Sequence, residues 1–109
     1  DFISLHLPLT QETRHILNKE NLKRAKSNLI IVNTARGGLL DEDALYELLK
    51  ERKLYGLGLD VFEQEPPQSS KLLTLPNVIV SSHTAASTQE AINAMSRMAV
   101  ENLICSLEA

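Results

Sequence analysis

One cysteine, no tryptophan, two tyrosines and two phenylalanines in 109 residues leave little aromatic surface and exclude an internal disulfide. Cys105 has no partner to staple to, so stability must come from an apolar core, and the chain suits a reducing compartment, read as the cytoplasm. An excess of basic charge is also lacking, with 11 Lys and Arg against 14 Asp and Glu. A formal net charge of -3 and a pI near 5.6, with no basic run or stripe, exclude the electrostatic footprint of a nucleic-acid or anionic-membrane binder. No apolar run approaches the ~18 residues of a membrane span, and the first residues lack the basic region of a signal peptide. Internal repeats and low-complexity segments are missing too. What remains, 43% hydrophobic and 23% charged, is the composition of one ordinary globular domain with a modest core.

Short apolar runs alternate with helical patterns, the signature of βα units and a mainly parallel sheet. The chain opens on "DFISLHL", which reads as a strand already under way, over Phe2 to Leu7. Leu9 to Lys26 reads as a loop with one or two short helices. Leu29 to Asn33 is apolar without alternation, which predicts a strand covered on both faces. Asp41 is a candidate N-cap, followed by Glu42 and Asp43, an apolar stripe of Ala44, Leu45, Leu48 and Leu49, and a basic end at Lys50, Arg52 and Lys53. Tyr55 to Phe62 and Asn77 to Ser81 predict two more strands, joined by the Pro-rich loop "EQEPPQSSKLLTLP". Ser87 with Glu90 predicts a capping box before a long helix whose apolar face carries Ile92, Met95, Ala99 and Leu103.

In an open α/β sheet, ligands gather beyond the carboxyl ends of the strands. There the first strand delivers His6, the second Asn33, Thr34, Ala35 and Arg36, the third Asp60 and then Glu65, and the fourth His83. Convergence of four polar strand ends on one edge is the main functional signal. Taken singly, Arg36 reads equally as a surface charge or a phosphate anchor, Glu65 as a solvated loop acid and His83 as a core histidine. Asp60 is sharper, because a carboxylate ending a buried strand needs a donor, and a ligand's amide is one.

Other chemistries fit less well. His6, His15 and His83 lack metal-site spacing, so no metal is expected. Ser87 and Thr88 have no nucleophile elbow around them and suit a helix cap. Gly56-Leu57-Gly58 begins like a dinucleotide fingerprint, but its third glycine position holds Val61 and it leads into a strand. Cys105 reads as helix packing.

"VNTARGGLLDEDAL", "GLDVFEQEPP" and "NVIVSSHTAASTQEA" together resemble the second half of the nucleotide-binding domain of the NAD-dependent D-2-hydroxyacid dehydrogenases. Arg36 to Glu65 spans 29 residues and Glu65 to His83 spans 18, so three separate motifs agree in order and distance. The resemblance runs from Asp1 to Ala109. Within the family, "HTAASTQEA" is most similar to the 3-phosphoglycerate branch, with hydroxypyruvate and glyoxylate reductases as alternatives. It implies that Arg36 holds the carboxylate and carbonyl of a small 2-keto or 2-hydroxy acid. It implies that Glu65 bonds the catalytic imidazole and that this imidazole is His83, donating a proton to the keto oxygen as hydride arrives from NADH. Asp60 would receive the nicotinamide carboxamide, with Thr34, Ala35, Arg36 and the segment His83, Thr84, Ala85 and Ala86 at the nicotinamide end. His6, Leu7 and Pro8 would pass the adenosine and pyrophosphate side.

A Gly-x-Gly-x-x-Gly turn and the acidic ribose partner that follows it are not in the sequence. The expectation is therefore residues 1–109 as the C-terminal half of a Rossmann-like, doubly wound α/β domain: four strands with flanking helices, lacking the glycine-fingerprint half and the substrate domain. An exposed first strand would invite pairing with another copy, giving a homo-oligomer. The alternative function is a catalytically silent half-fold that self-associates.

Overall fold

The apolar runs become four short strands, β1 (Phe2–Leu5), β2 (Ile30–Asn33), β3 (Gly56–Leu59) and β4 (Val78–Val80). In the computed structural model, which describes residues 1–109, they lie side by side in chain order, and every pair is parallel. Each strand stops short of its apolar run. Asn33 ends the ladder between β1 and β2, and beyond it the chain bonds to itself instead of to its neighbours.

Because the strand order never reverses, right-handed crossovers put every connection on the same face of the sheet. These connections are α1 (Lys19–Leu22), α2 (Glu42–Lys50) and a 3-10 turn at Lys71–Thr74. Leu22, Leu45, Leu49 and Leu72 from them close over Leu5, Ile31, Leu57 and Leu59 of the strands in one core. Asp41 caps α2 as expected, its carboxylate accepting from the Ala44 amide, and Ala44, Leu45, Leu48 and Leu49 are buried. Asn18 caps α1, accepting from Glu20 and Asn21.

The other face is bare, which corrects the reading of β2 as covered on both sides. Val32 shares a row with Ser4, Gly58 and Ile79, and Ile79 is 78% exposed. Four strands added in one direction give helices for one face only. The second face needs crossovers that run the other way.

The last helix, α3 (Gln89–Glu108), corrects three further expectations. Its N-cap is Thr88, accepting from the Ala91 amide, so the Ser87–Glu90 capping box does not form. Its apolar face packs on nothing: Ile92, Met95 and Leu103 are exposed, and α3 has no buried residue. Cys105 is exposed and is not part of a core. No helix is long and apolar enough to cross a membrane.

Candidate active site

The carboxyl end of β2 is built around Asn33, a fully buried polar residue. Its side-chain oxygen accepts from the Ala35 amide at 3.0 Å and its Nδ2 donates to the Arg36 carbonyl at 2.8 Å, so the backbone from 33 to 36 is fixed from within. The Arg36 guanidinium is not. It is exposed, makes no ion pair, and donates only to the carbonyl of Ala35. Thr34 beside it is exposed as well. Asn33 was legible only as a strand-end polar group; its bracing role needed the turn geometry.

Gly37 follows directly, and neither it nor Gly38 has positive φ. Its lack of a side chain serves close approach: a Cβ there would lie 1.9 Å from the carbonyl carbon of Phe62 and 2.4 Å from the Glu63 nitrogen. The turn after Arg36 is thus pressed against the turn after Asp60.

Asp60 is 4% exposed at the end of β3. One carboxylate oxygen accepts from the Ser81 hydroxyl at 2.5 Å and the Thr84 amide at 2.9 Å; the other accepts from the Ala85 amide at 2.9 Å. Burial would push this carboxyl up, but the Ser81 hydroxyl and the amides of Ala85 and Thr84 outweigh it and hold the group below its ordinary value. The donors it requires come from its own chain, so burial of Asp60 does not by itself demand a ligand. The oxygen facing Ala85 has a single recorded partner and keeps acceptor capacity.

This grip shapes the residue in front of it. His83, between Ser81 and Thr84, has φ of 61°, the left-handed region that non-glycine residues seldom enter. Its Nδ1 lies 2.7 Å from Glu65 Oε2, while the Phe62 amide donates to Glu65 Oε1 at 3.1 Å. The imidazole first, and the Phe62 amide second, hold the Glu65 carboxyl below the ordinary carboxylate range. Nε2 of His83 has no partner in the chain.

An open cleft of about 840 Å³ is lined by Asp60, Glu65 and His83 on its polar side and by Phe62, Pro66, Leu73 and Val80 on its apolar side. Asp60, Glu65, His83, Thr84 and Ala85 are thus brought together, and Ala86 continues from them. Arg36, Thr34 and Ala35 belong to the neighbouring strand end. His6, Leu7 and Pro8 lie at the end of β1, two strands from β3, where the His6 ring bonds the Ser4 hydroxyl at 2.6 Å. The amides of Ala35, Thr84 and Ala85 are already donated within the chain, so contacts from those residues to a ligand would use other atoms.

An acid–imidazole pair thus lies on the carboxyl edge of a parallel sheet, with an arginine at the neighbouring strand end. The profile described as D-isomer specific 2-hydroxyacid dehydrogenase, NAD binding domain, matches residues 1–85. The chain belongs to that family.

Among its relatives, a D-3-phosphoglycerate dehydrogenase of Methanocaldococcus jannaschii is 55% identical over 103 residues, covering 94% of this chain and 20% of the relative. A hydroxypyruvate reductase of Thermotoga maritima is 57% identical over 94 residues, covering 84% of this chain and 31% of the relative. Of solved structures, a glyoxylate reductase from Paecilomyes thermophila superposes with a TM-score of 0.92 at 39% identity, over 99% of this chain and 33% of that one. A Lactobacillus jensenii D-lactate dehydrogenase solved with NAD+ gives 0.85 at 32%, over 95% and 36%. The chain therefore spans about a fifth to a third of the length of the relatives it matches.

Proposed function

We propose that this chain is the acid–base half of the nucleotide-binding domain of an NAD-dependent 2-hydroxyacid dehydrogenase, and that residues 1–109 act with further chain that supplies the glycine fingerprint and a substrate domain. The observation that carries the reading is the Glu65–His83 pair at 2.7 Å at the mouth of a cleft. Bound NADH would supply the hydride. His83, oriented through Nδ1 by Glu65, presents Nε2 to the keto oxygen, gives it a proton in reduction and takes it back in oxidation. Arg36 offers its fork of donors to the substrate carboxylate, and its lack of an ion partner leaves that fork available. The residues fit the nicotinamide end: Asp60 keeps acceptor capacity for a carboxamide, and apolar Phe62, Leu73 and Val80 line the cleft beside it. Thr34, Ala35, Arg36 and His83 to Ala86 surround that end, with His6, Leu7 and Pro8 towards the adenosine.

For the substrate we propose a small 2-keto or 2-hydroxy acid, with 3-phosphoglycerate first, on the similarity to the Methanocaldococcus enzyme. Hydroxypyruvate and glyoxylate are the competitors, on comparable identities. The workplace is the cytoplasm. The test is His83→Ala in the intact protein. Turnover should fall by at least about 100-fold while NADH binding, read by fluorescence, persists; unchanged turnover refutes the assignment. Ratios of kcat/KM among the three acids then choose the substrate.

A second reading is favoured by the bare sheet face. The isolated 109-residue chain is catalytically silent and self-associates through edge strand β1 and the exposed Phe2, Val32 and Ile79. A monomer in sedimentation at moderate concentration contradicts self-association of the isolated chain.

A further inference from the structure

Glu42 stands at the start of α2, outside the cleft, yet it is tied to the turn that carries Glu65. Its Oε1 accepts from the Glu63 amide at 2.7 Å, and its own amide donates back to Glu63 Oε1 at 3.2 Å. Its other oxygen accepts from the Ser70 hydroxyl at 3.4 Å. The Phe62–Glu63 peptide is therefore held on two sides, by Glu42 at its N–H and by the close approach of Gly37 at its carbonyl. The preceding N–H, that of Phe62, donates to Glu65 Oε1, whose other oxygen meets His83. Consecutive amides thus serve two carboxylates: Phe62 N–H holds the acid of the site, and Glu63 N–H is held by Glu42.

We propose that Glu42 is a positioning residue for the Glu65–His83 pair, acting through the Phe62–Glu63 peptide. The idea rests on the functional reading above only for its consequence in catalysis; the geometry stands without it. Burial, with the neighbouring charges of Glu63 and Asp43, pushes the Glu42 carboxyl up against the hydrogen bonds that lower it, so the clasp is held in place against a desolvation cost. Arg14, 3.8 Å from Glu63 Oε2, offsets part of the charge there, and the His15 ring lies 3.1 Å from Oε1. Glu65 itself faces His83 and, more weakly, Asp60.

The test follows the Glu65 side-chain carboxyl by carbon-13 NMR through a pH titration of the full 109-residue chain, native and carrying Glu42→Ala or Glu42→Gln. Loss of the acceptor in Glu42→Ala should loosen Glu65 from His83 and raise the Glu65 titration midpoint towards the ordinary carboxylate value. Glu42 titrates above Glu65 and is already largely neutral at the Glu65 midpoint, so loss of its charge alone would leave that midpoint in place, and a rise separates positioning from electrostatics. Glu42→Gln removes the charge and keeps the acceptor oxygen, and should leave Glu65 depressed. If Glu42→Ala does not fold, Glu42→Asp, one methylene shorter, makes the same comparison. A Glu65 midpoint that stays in place or falls in the Ala or Asp variant, even with lowered thermal stability, overturns the proposal and leaves Glu42 a structural residue. In the intact enzyme, kcat should fall about tenfold in Glu42→Ala with the KM for NADH unchanged. Absence of any 2-keto acid turnover by the native enzyme would count against the functional reading and leave the NMR result standing.

Discussion

The ends of β2 and β3 both present a charged group to the same edge of the sheet, and they hold it in opposite ways. Asp60 is buried and held by three donors, and the turn it grips carries His83 to Glu65. Arg36 has its backbone fixed by Asn33 and its guanidinium left in solvent. One side is assembled by bonds within the chain; the other keeps its donors free, as the proposed roles require. A proton donor depends on orientation, which hydrogen bonds confer in advance. A carboxylate clamp depends on free donors, which internal partners would occupy.

The contact joining the two ends is the place to break the arrangement. Gly37→Ala places a methyl group inside the Phe62 peptide, and should destabilise the fold by about 3 kcal/mol and separate Arg36 from the Glu65 turn. Chemical denaturation reads this directly, and a loss below about 1 kcal/mol would mean that the two turns are not in close contact. Asp60→Ala strips the braced side, stranding the amides of Thr84 and Ala85, and should cost about 2 to 3 kcal/mol and broaden the His83 NMR signals. A stable variant with an unchanged His83 spectrum would show that the turn holds itself.

Arg36→Lys probes the open side. Stability should move by less than about 0.5 kcal/mol, while KM for the keto acid in the intact enzyme rises at least about tenfold, since an ammonium cannot reproduce the fork. Equal KM values would remove Arg36 from substrate binding. The smallest effect concerns the Glu65–His83 pair, whose side chains are 38% and 50% exposed and so contribute about 0.2 to 1 kcal/mol. Glu65 is depressed in the folded chain, so its contribution is present above the unfolded carboxylate value and is lost as pH falls through the folded one. Glu65→Gln should flatten that acid limb of the stability curve; an unaltered limb assigns it to other carboxylates.

Much of the site was readable because its signals are local. A polar residue at the end of each apolar run, on a sheet made parallel by βα alternation, is enough to place Arg36, Asp60, Glu65 and His83 on one edge. What escaped depends on partners far along the chain. Asp60 looked short of a donor because Ser81, Thr84 and Ala85 lie more than 20 residues away. Gly37 looked like a turn residue, and its reason is a peptide 25 residues on. Glu42 looked like a helix-dipole acid, which it is, and its second bond to Glu63 could not be inferred from the helix alone.

By itself the sequence determined the alternation of strands and helices, the Asp41 cap and the chemical types at the strand ends, since these follow from periodicity, propensity and spacing along the chain, while three motifs carried the family resemblance. Only the tertiary structure decided which sheet face is covered and what α3 touches. Strand order and the hand of each crossover choose the covered face, and an apolar stripe on a helix states a need for burial without supplying the surface that meets it.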